Sequence, residues 1–242
     1  MTELLYHTDS YLKEFSARIA EVLPEKRAVI LDRTAFYPGG GGQVPDNGYL
    51  ETSDAIIQVK RAKHSPEGIL HLIDNGQQMP DSGDQVKGVI NWDKRYQVMR
   101  THTAMHILCG VIFRDYGALV TGGDMQPLQG RMDFEFESMT GDLVAEIEQA
   151  INTEVDEGRE VCIRILPREE AFQIPDLIRT KINLLPEHIK EVRTVEIVGL
   201  DLQADGGTHV KNTKEVGPLR ITDYKSKGKI NKRIYIELES NP

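Results

Sequence analysis

Arg-Thr-His-Thr-Ala-Met-His-Ile-Leu, residues 100–108, is the stretch from which the rest of the chain can be read. The apolar residues Val98, Met105, Ile107, Leu108 and Ile112 in and around it suit a buried helix, on which residues four apart leave the same face one turn apart. His102 and His106 thus present two imidazoles in a chelating arrangement. Zinc usually takes four N, S or O donors, so others must come from elsewhere in the chain. Asp-Gly-Gly-Thr-His-Val, 205–210, supplies the obvious pair, Asp205 and His209. A helical zinc peptidase would carry Glu after the first histidine as general base; Thr103 stands there, and that reading fails. Cys109 is read as core, because three ligands from one straight helix would strain a tetrahedral site.

Outward from the helix, a domain boundary is placed near Asn91, where Trp92-Asp93-Lys94-Arg95 opens it. Residues 44–91 alternate apolar runs such as Ala55-Ile56-Ile57 and Ile69-Leu70-His71-Leu72 with turn triplets at Asp46-Asn47-Gly48, Pro66-Glu67-Gly68, Asp74-Asn75-Gly76 and Asp81-Ser82-Gly83. A small β-barrel is the natural product, with His64 and His71 as ordinary strand or turn residues. Ala28-Val29-Ile30-Leu31 reads as a buried strand. Residues 1–23 fit both a helical stripe (Leu12, Phe15, Ile19, Val22) and a strand alternation (Phe15, Ala17, Ile19). Gly39, Gly40, Gly41 and Gly42 form a loop whose main chain can approach a ligand closely; the spacing matches neither a P-loop nor a dinucleotide fingerprint.

Beyond the helix, Arg131–Phe136 reads as a strand and Asp142 as the cap of an amphipathic helix bearing Leu143, Val144, Ile147, Ile151 and Val155. Glu160–Leu166 and Val192–Leu202 read as strands, the second running into Asp205, with a helix opening at Pro167 between them. Lys225, Lys227, Lys229, Lys232 and Arg233 surround Gly228 in a closing hairpin, either a solvated face or a surface for a polyanion.

The 242 residues suffice for a core without disulfides, and two cysteines give no disulfide framework. No basic leader with an apolar run and no membrane-length apolar segment is seen, so a cytoplasmic location is expected. A net charge of -9 argues against broad adhesion to nucleic acid, though a local basic patch is compatible with it.

Four ordered segments, FYPGGGGQ-PDNG from Phe36, MRTHTAMHIL from Met99, RMDFEF at 131–136 and DLQADGGTHVKNTKEVGPLRI at 201–221, resemble the free-standing alanyl-tRNA editing proteins of the AlaX type, in their medium-length form, and the editing region of alanyl-tRNA synthetase. The resemblance covers almost the whole chain. It tips residues 1–23 toward strand and implies an α+β protein. In that reading a glycine-rich β-barrel domain, 1–91, precedes a metal-binding tRNA editing domain, 92–242, whose metal lies between a helix and a sheet or loop. It also implies hydrolysis of mischarged tRNA(Ala), chiefly seryl- and also glycyl-tRNA(Ala), at a zinc site held by His102, His106, Asp205 and His209. The glycine run would then face the editing pocket, with Thr34, Gln43 and Thr121 as polar groups toward the aminoacyl moiety and the lysine-rich hairpin toward the tRNA. One departure stands out: the family usually carries Cys where this chain has Asp205. No side chain presents itself as general base, so a metal-activated water and assistance by the substrate's own ribose hydroxyl both stay open. Two other classes also remain, a non-catalytic zinc-containing RNA-binding module and a zinc hydrolase of small esters; oligomeric state is left open.

Overall fold

Burial resolves the N-terminal ambiguity. After a two-residue strand β1 (Glu3–Leu4), the segment Glu14–Leu23 (β2) buries Phe15, Ala17 and Ile19 and exposes the residues between them, the period of a strand. The chain is described here from a computed structural model that covers residues 2–180 and 189–240. Its contacts divide it into two units, 1–96 and 97–242.

In the first unit follow β3 (Ala28–Leu31), buried throughout as its apolar run requires, β4 (Arg33–Thr34), β5 (Gly48–Glu51), β6 (Ile56–Ser65), β7 (Gly68–Ile73) and β8 (Gln85–Ile90). Together with β2, five of these close a barrel in the order β2-β3-β7-β6-β5-β8, so no edge of that sheet is left to solvent. Its interior is filled by Phe15, Ile19, Val29, Leu31, Phe36, Leu50, Val59 and Ile73. β1 pairs in parallel with β4.

Helix α1 (Trp92–Tyr116) starts where the sequence suggested, and the division between the units falls inside it, after Tyr96. Arg95 in its first turn is fully buried. Its Nε lies 3.0 Å from both Asp46 oxygens, and its other nitrogens donate to the carbonyls of Ser10 and Ala35. A buried cation at 0% exposure persists only when paired and hydrogen-bonded in this way. Asp46 also accepts from the Tyr37 amide at 2.6 Å, and its own amide donates to the Tyr37 carbonyl, closing residues 37–46 into a loop fixed at both ends.

The second unit continues with β9 (Val120–Gln126), β10 (Gln129–Glu135), α2 (Gly141–Glu157), β11 (Val161–Pro167), the single-turn α3 (Arg168–Ala171), β12 (Glu191–Ile197), β13 (Asp201–Ala204), β14 (Leu219–Gly228) and β15 (Asn231–Leu238). They form a four-stranded sheet, β14-β15-β10-β9, and a three-stranded one, β11-β12-β13. Met105, Leu108 and Ile112 on α1, Ile147 and Ile151 on α2, and Met132, Phe134, Ile234 and Ile236 in the larger sheet are buried. Arg100, also buried, donates to the Val216 and Glu239 carbonyls at 2.8 and 2.7 Å, tying the helix to the C-terminal strand. The fold class is α+β.

Two local expectations are corrected. The cap of α2 is Thr140, whose hydroxyl accepts from the Leu143 amide at 3.3 Å; Asp142 sits in the first turn, where its charge faces the positive end of the helix. Val192–Leu202 is not one strand: Gly199, at φ 78°, reverses the chain, so β12 and β13 run antiparallel. No described helix is long and apolar enough to cross a membrane.

Candidate metal centre

The hairpin made by Gly199 is what assembles the site. β13 returns along α1, and strand alternation puts Asp201, Gln203 and the following Asp205 on one side, toward a helix face carrying His102, His106 and Cys109. Three contacts join the two elements: His102 Nε2 lies 3.5 Å from Asp205 Oδ2, His106 Nδ1 lies 3.0 Å from Asp201 Oδ2, and Gln203 Nε2 donates to Cys109 Sγ at 3.3 Å. Gly110 makes the approach possible. A Cβ there would lie 2.9 Å from Leu200 Cγ and 3.0 Å from Asp201 Cβ, closer than carbon atoms pack.

His102, His106, Asp205 and His209 each bring one donor atom, and these atoms lie within 4.8 Å of one another. The ring centroids of His102 and His209 are 4.1 Å apart, those of His106 and His209 4.7 Å. His209 Nε2 is 3.1 Å from Asp205 Oδ1, which also accepts from the Gly207 amide at 2.6 Å. The three imidazole side chains are at most 7% exposed and the Asp205 side chain 17%, so the carboxylate is the donor nearest solvent.

Electrostatics leave most donors in the deprotonated forms a cation requires. Burial holds His102 down at about 4, against the opposing pull of Asp205. Burial, together with neighbouring His102, holds His209 well below its usual range. Asp205 also lies well below the carboxylate range: its burial works the other way but is outweighed by His102 and His209 facing it. His106 alone is raised, because the hydrogen bond and charge of Asp201 outweigh its burial. Three nitrogen donors and one oxygen within this radius fit a divalent zinc-type ion. Cys109 is 1% exposed, its thiol pushed well above the usual range by burial, and it takes no place among the donors.

The other candidate residues are spread over both units. In the first, Gly39–Gly42 all have φ between 57° and 135°, a left-handed region that side-chain-bearing residues rarely adopt. The loop is pinned rather than slack: Gly40 and Gln43 exchange both main-chain hydrogen bonds and the Tyr37 hydroxyl donates to the Gly40 carbonyl. Gln43 is buried. Thr34 is fully buried too, with its hydroxyl 2.8 Å from His71 Nε2. In the second unit Thr121 is exposed at the start of β9 and donates to Asn231 Oδ1 at 3.1 Å. In the closing hairpin Lys225, Lys227 and Lys229 are exposed, and Lys225 pairs with Asp223. Lys232 folds back onto the Gly228 and Lys229 carbonyls, and Arg233 makes a two-pronged bond to Asp133 at 2.6 and 2.7 Å. Those two cations are spent within the sheet.

Residues 7–94 match the family model for class II (A) tRNA synthetases, and residues 192–235 that for the second additional domain of threonyl and alanyl tRNA synthetases. Over 239 residues, 97% of this chain and 98% of the relative, the sequence is 43% identical to the alanyl-tRNA editing protein AlaX-M of Saccharolobus solfataricus. The AlaX-M of Methanosarcina barkeri is 41% identical over 243 residues, 98% of this chain and 99% of that protein. Alanine–tRNA ligase of Ignicoccus hospitalis is 36% identical over 226 residues, 91% of this chain but 24% of the ligase. The chain belongs to the AlaX-M family of alanyl-tRNA editing proteins.

Proposed function

We propose that this protein is a trans-editing hydrolase that deacylates mischarged tRNA(Ala), chiefly seryl-tRNA(Ala) and also glycyl-tRNA(Ala), in the cytoplasm, using zinc held by His102, His106, Asp205 and His209. The observation that carries the reading is the convergence of these four donors within 4.8 Å in a chain whose full-length relatives are named alanyl-tRNA editing proteins. Bound there, zinc would supply Lewis acidity toward the ester linking amino acid to ribose.

The chain's own residues have separate tasks. The three imidazoles, anchored on one helix and one loop, would hold the cation without needing a flexible side chain. Asp205, the donor most open to solvent, would hold the cation on the side from which substrate enters. The rigid Gly39–Gly42 loop offers main-chain groups and no side chain, which suits close approach to the small aminoacyl group, and Gln43 and Thr121 add polar groups. Exposed Lys227 and Lys229 meet backbone phosphates.

Deacylation of seryl-tRNA(Ala), measured with native protein, with protein stripped by chelator, and with zinc restored, tests this. Hydrolysis that needs both zinc and the tRNA body is expected. Binding of tRNA without turnover would make the protein a module, and equal turnover of a small seryl ester would make it a general esterase.

A further inference from the structure

The metal donors are only the inner layer of the site, and what stands behind them is specified in detail. A histidine binds a cation through one ring nitrogen in its unprotonated form, so its other nitrogen must carry the proton and needs an acceptor. His106 Nδ1 faces Asp201 Oδ2 at 3.0 Å, leaving Nε2 to the donor cluster. Asp201 is itself held: its side chain is fully buried, Gln203 Nε2 donates to Oδ2 at 2.7 Å, and Arg179 Nε stands 3.5 Å from Oδ1. The Arg179 guanidinium is fixed in turn by stacking on Phe113, 3.6 Å from the ring centroid, on the same helical face as His106 and one turn beyond Cys109. His209 has its counterpart in Thr103, whose hydroxyl oxygen lies 3.2 Å from His209 Nδ1 and accepts the Val210 amide at 3.3 Å.

We infer that Asp201 and Thr103 are positioning residues for the metal, the first setting the tautomer and direction of His106 and the second those of His209. The inference rests on the zinc reading above and deepens it. It accounts for three features at once. Thr103 stands where a peptidase would place its general base, and here serves the opposite histidine. Asp201 recurs at even spacing from Asp205 because one strand face carries both the ligand and the support of another ligand. Gly110 lacks a side chain because any Cβ would push β13, and Asp201 with it, away from His106.

The test uses the full-length protein and zinc alone. Zinc dissociation constants are measured by competition with a chromophoric chelator for the native chain, Asp201→Asn, Thr103→Val and Thr103→Ser, and the melting temperature of each metal-free protein is recorded alongside. Support of a ligating histidine is typically worth ten- to hundredfold in metal affinity, so Asp201→Asn and Thr103→Val are expected to weaken zinc by about that factor. Thr103→Ser, which keeps the hydroxyl, should bind as the native chain does. Imidazole 15N NMR of the metal-free proteins, recorded at alkaline pH where His106 is neutral, should show its Nδ1–H form in the native chain and a mixture of tautomers in Asp201→Asn. Native zinc affinity in both Asp201→Asn and Thr103→Val would overturn the inference and leave the editing reading standing. So would losses that simply follow the metal-free melting temperature with no change of tautomer. Failure of the native chain to bind zinc would overturn both.

Discussion

The interior of the barrel holds a titratable group whose effect on stability can be worked through. His71 is fully buried on β7; its Nδ1 lies 3.2 Å from the Val29 carbonyl and its Nε2 2.8 Å from the Thr34 hydroxyl. The Val29 oxygen can only accept, so Nδ1 carries the proton and Nε2 takes that of Thr34, whose oxygen meanwhile accepts the Phe36 amide at 3.1 Å. Burial holds His71 down at about 4 against an ordinary 6.5. The unfolded chain then takes up a proton that the folded barrel refuses, so stability is full above about pH 6.5 and falls as pH drops toward 4. Integrating between those values gives a loss of about 1.4 kcal/mol by about pH 5.5 and about 3 kcal/mol at about pH 4. Trp92, the sole tryptophan, belongs to the same unit and stacks on Tyr96, so its fluorescence reports that unit's unfolding. Urea titrations from about pH 7.5 to 4.5, on native protein and His71→Gln, should show the variant losing about 2–3 kcal/mol less over that span. Parallel losses in the two proteins would refute the account of His71.

Other perturbations bear on the site directly. Asp205→Cys, which replaces a hard oxygen by a thiolate, is expected to retain zinc more firmly than the native chain in chelator competition; equal or weaker retention counts against Asp205 as a ligand. Replacing Lys227 and Lys229 by Ser should weaken tRNA binding and flatten its salt dependence by about 0.7 for each phosphate no longer neutralised, whereas Lys232→Ser and Arg233→Ser, whose partners are internal, should lower the melting temperature first. An unchanged salt slope in the first pair removes the hairpin from the interface. Among Thr34→Val, Thr121→Val and Gln43→Ala, at least one should narrow the serine-to-alanine ratio of kcat/KM about tenfold, or about 1.4 kcal/mol of transition-state discrimination. Thr34→Val should also cost about 1–3 kcal/mol of stability by leaving His71 Nε2 without its donor. Native ratios in all three would place discrimination elsewhere.

What the sequence discloses and what it withholds divide along a physical line. Periodicity and turn chemistry are local, so the alternation at Phe15, Ala17 and Ile19, the apolar run at Ala28–Leu31, the glycine turns and the four-residue spacing of His102 and His106 can all be read directly. Register is not local. Nothing near Arg233 announces that it lies opposite Asp133, and nothing near Thr34 that its hydroxyl meets His71 across thirty-seven residues. Hence Thr34 and Arg233, both expected to face a ligand, have their hydroxyl and guanidinium groups engaged inside their own units. Asp201 escapes the sequence for a related reason: with Val192–Leu202 as one strand, the reversal at Gly199 disappears, and with it the alignment of β13 along α1. The usable signal is the even spacing of Asp201, Gln203 and Asp205, three polar residues on one face of a segment whose flanking strand residues are apolar.

The charges around the donors also bear on what kind of metal site these residues would make. Two buried carboxylates would be costly in a low-dielectric interior, yet each has its own cation: Arg193 Nη1 lies 3.9 Å from Asp205 Oδ1 and donates to the Asp205 carbonyl at 2.9 Å, and Arg179 stands against Asp201. Without any metal, the ensemble of three imidazoles, two carboxylates and two guanidiniums is close to neutral, its members joined by hydrogen bonds or ion pairs. A structural zinc site behaves differently, since there the cation is needed to offset clustered thiolates and its binding energy is folding energy. Here β13, the Asp205–His209 loop and α1 are held by their own packing, so removing the metal should leave the far-ultraviolet circular dichroism unchanged while abolishing deacylation. Collapse of the secondary structure on chelation would show instead that the cation holds the two elements together, and that the pairing of Asp205 and Asp201 with arginines does not suffice to build the site.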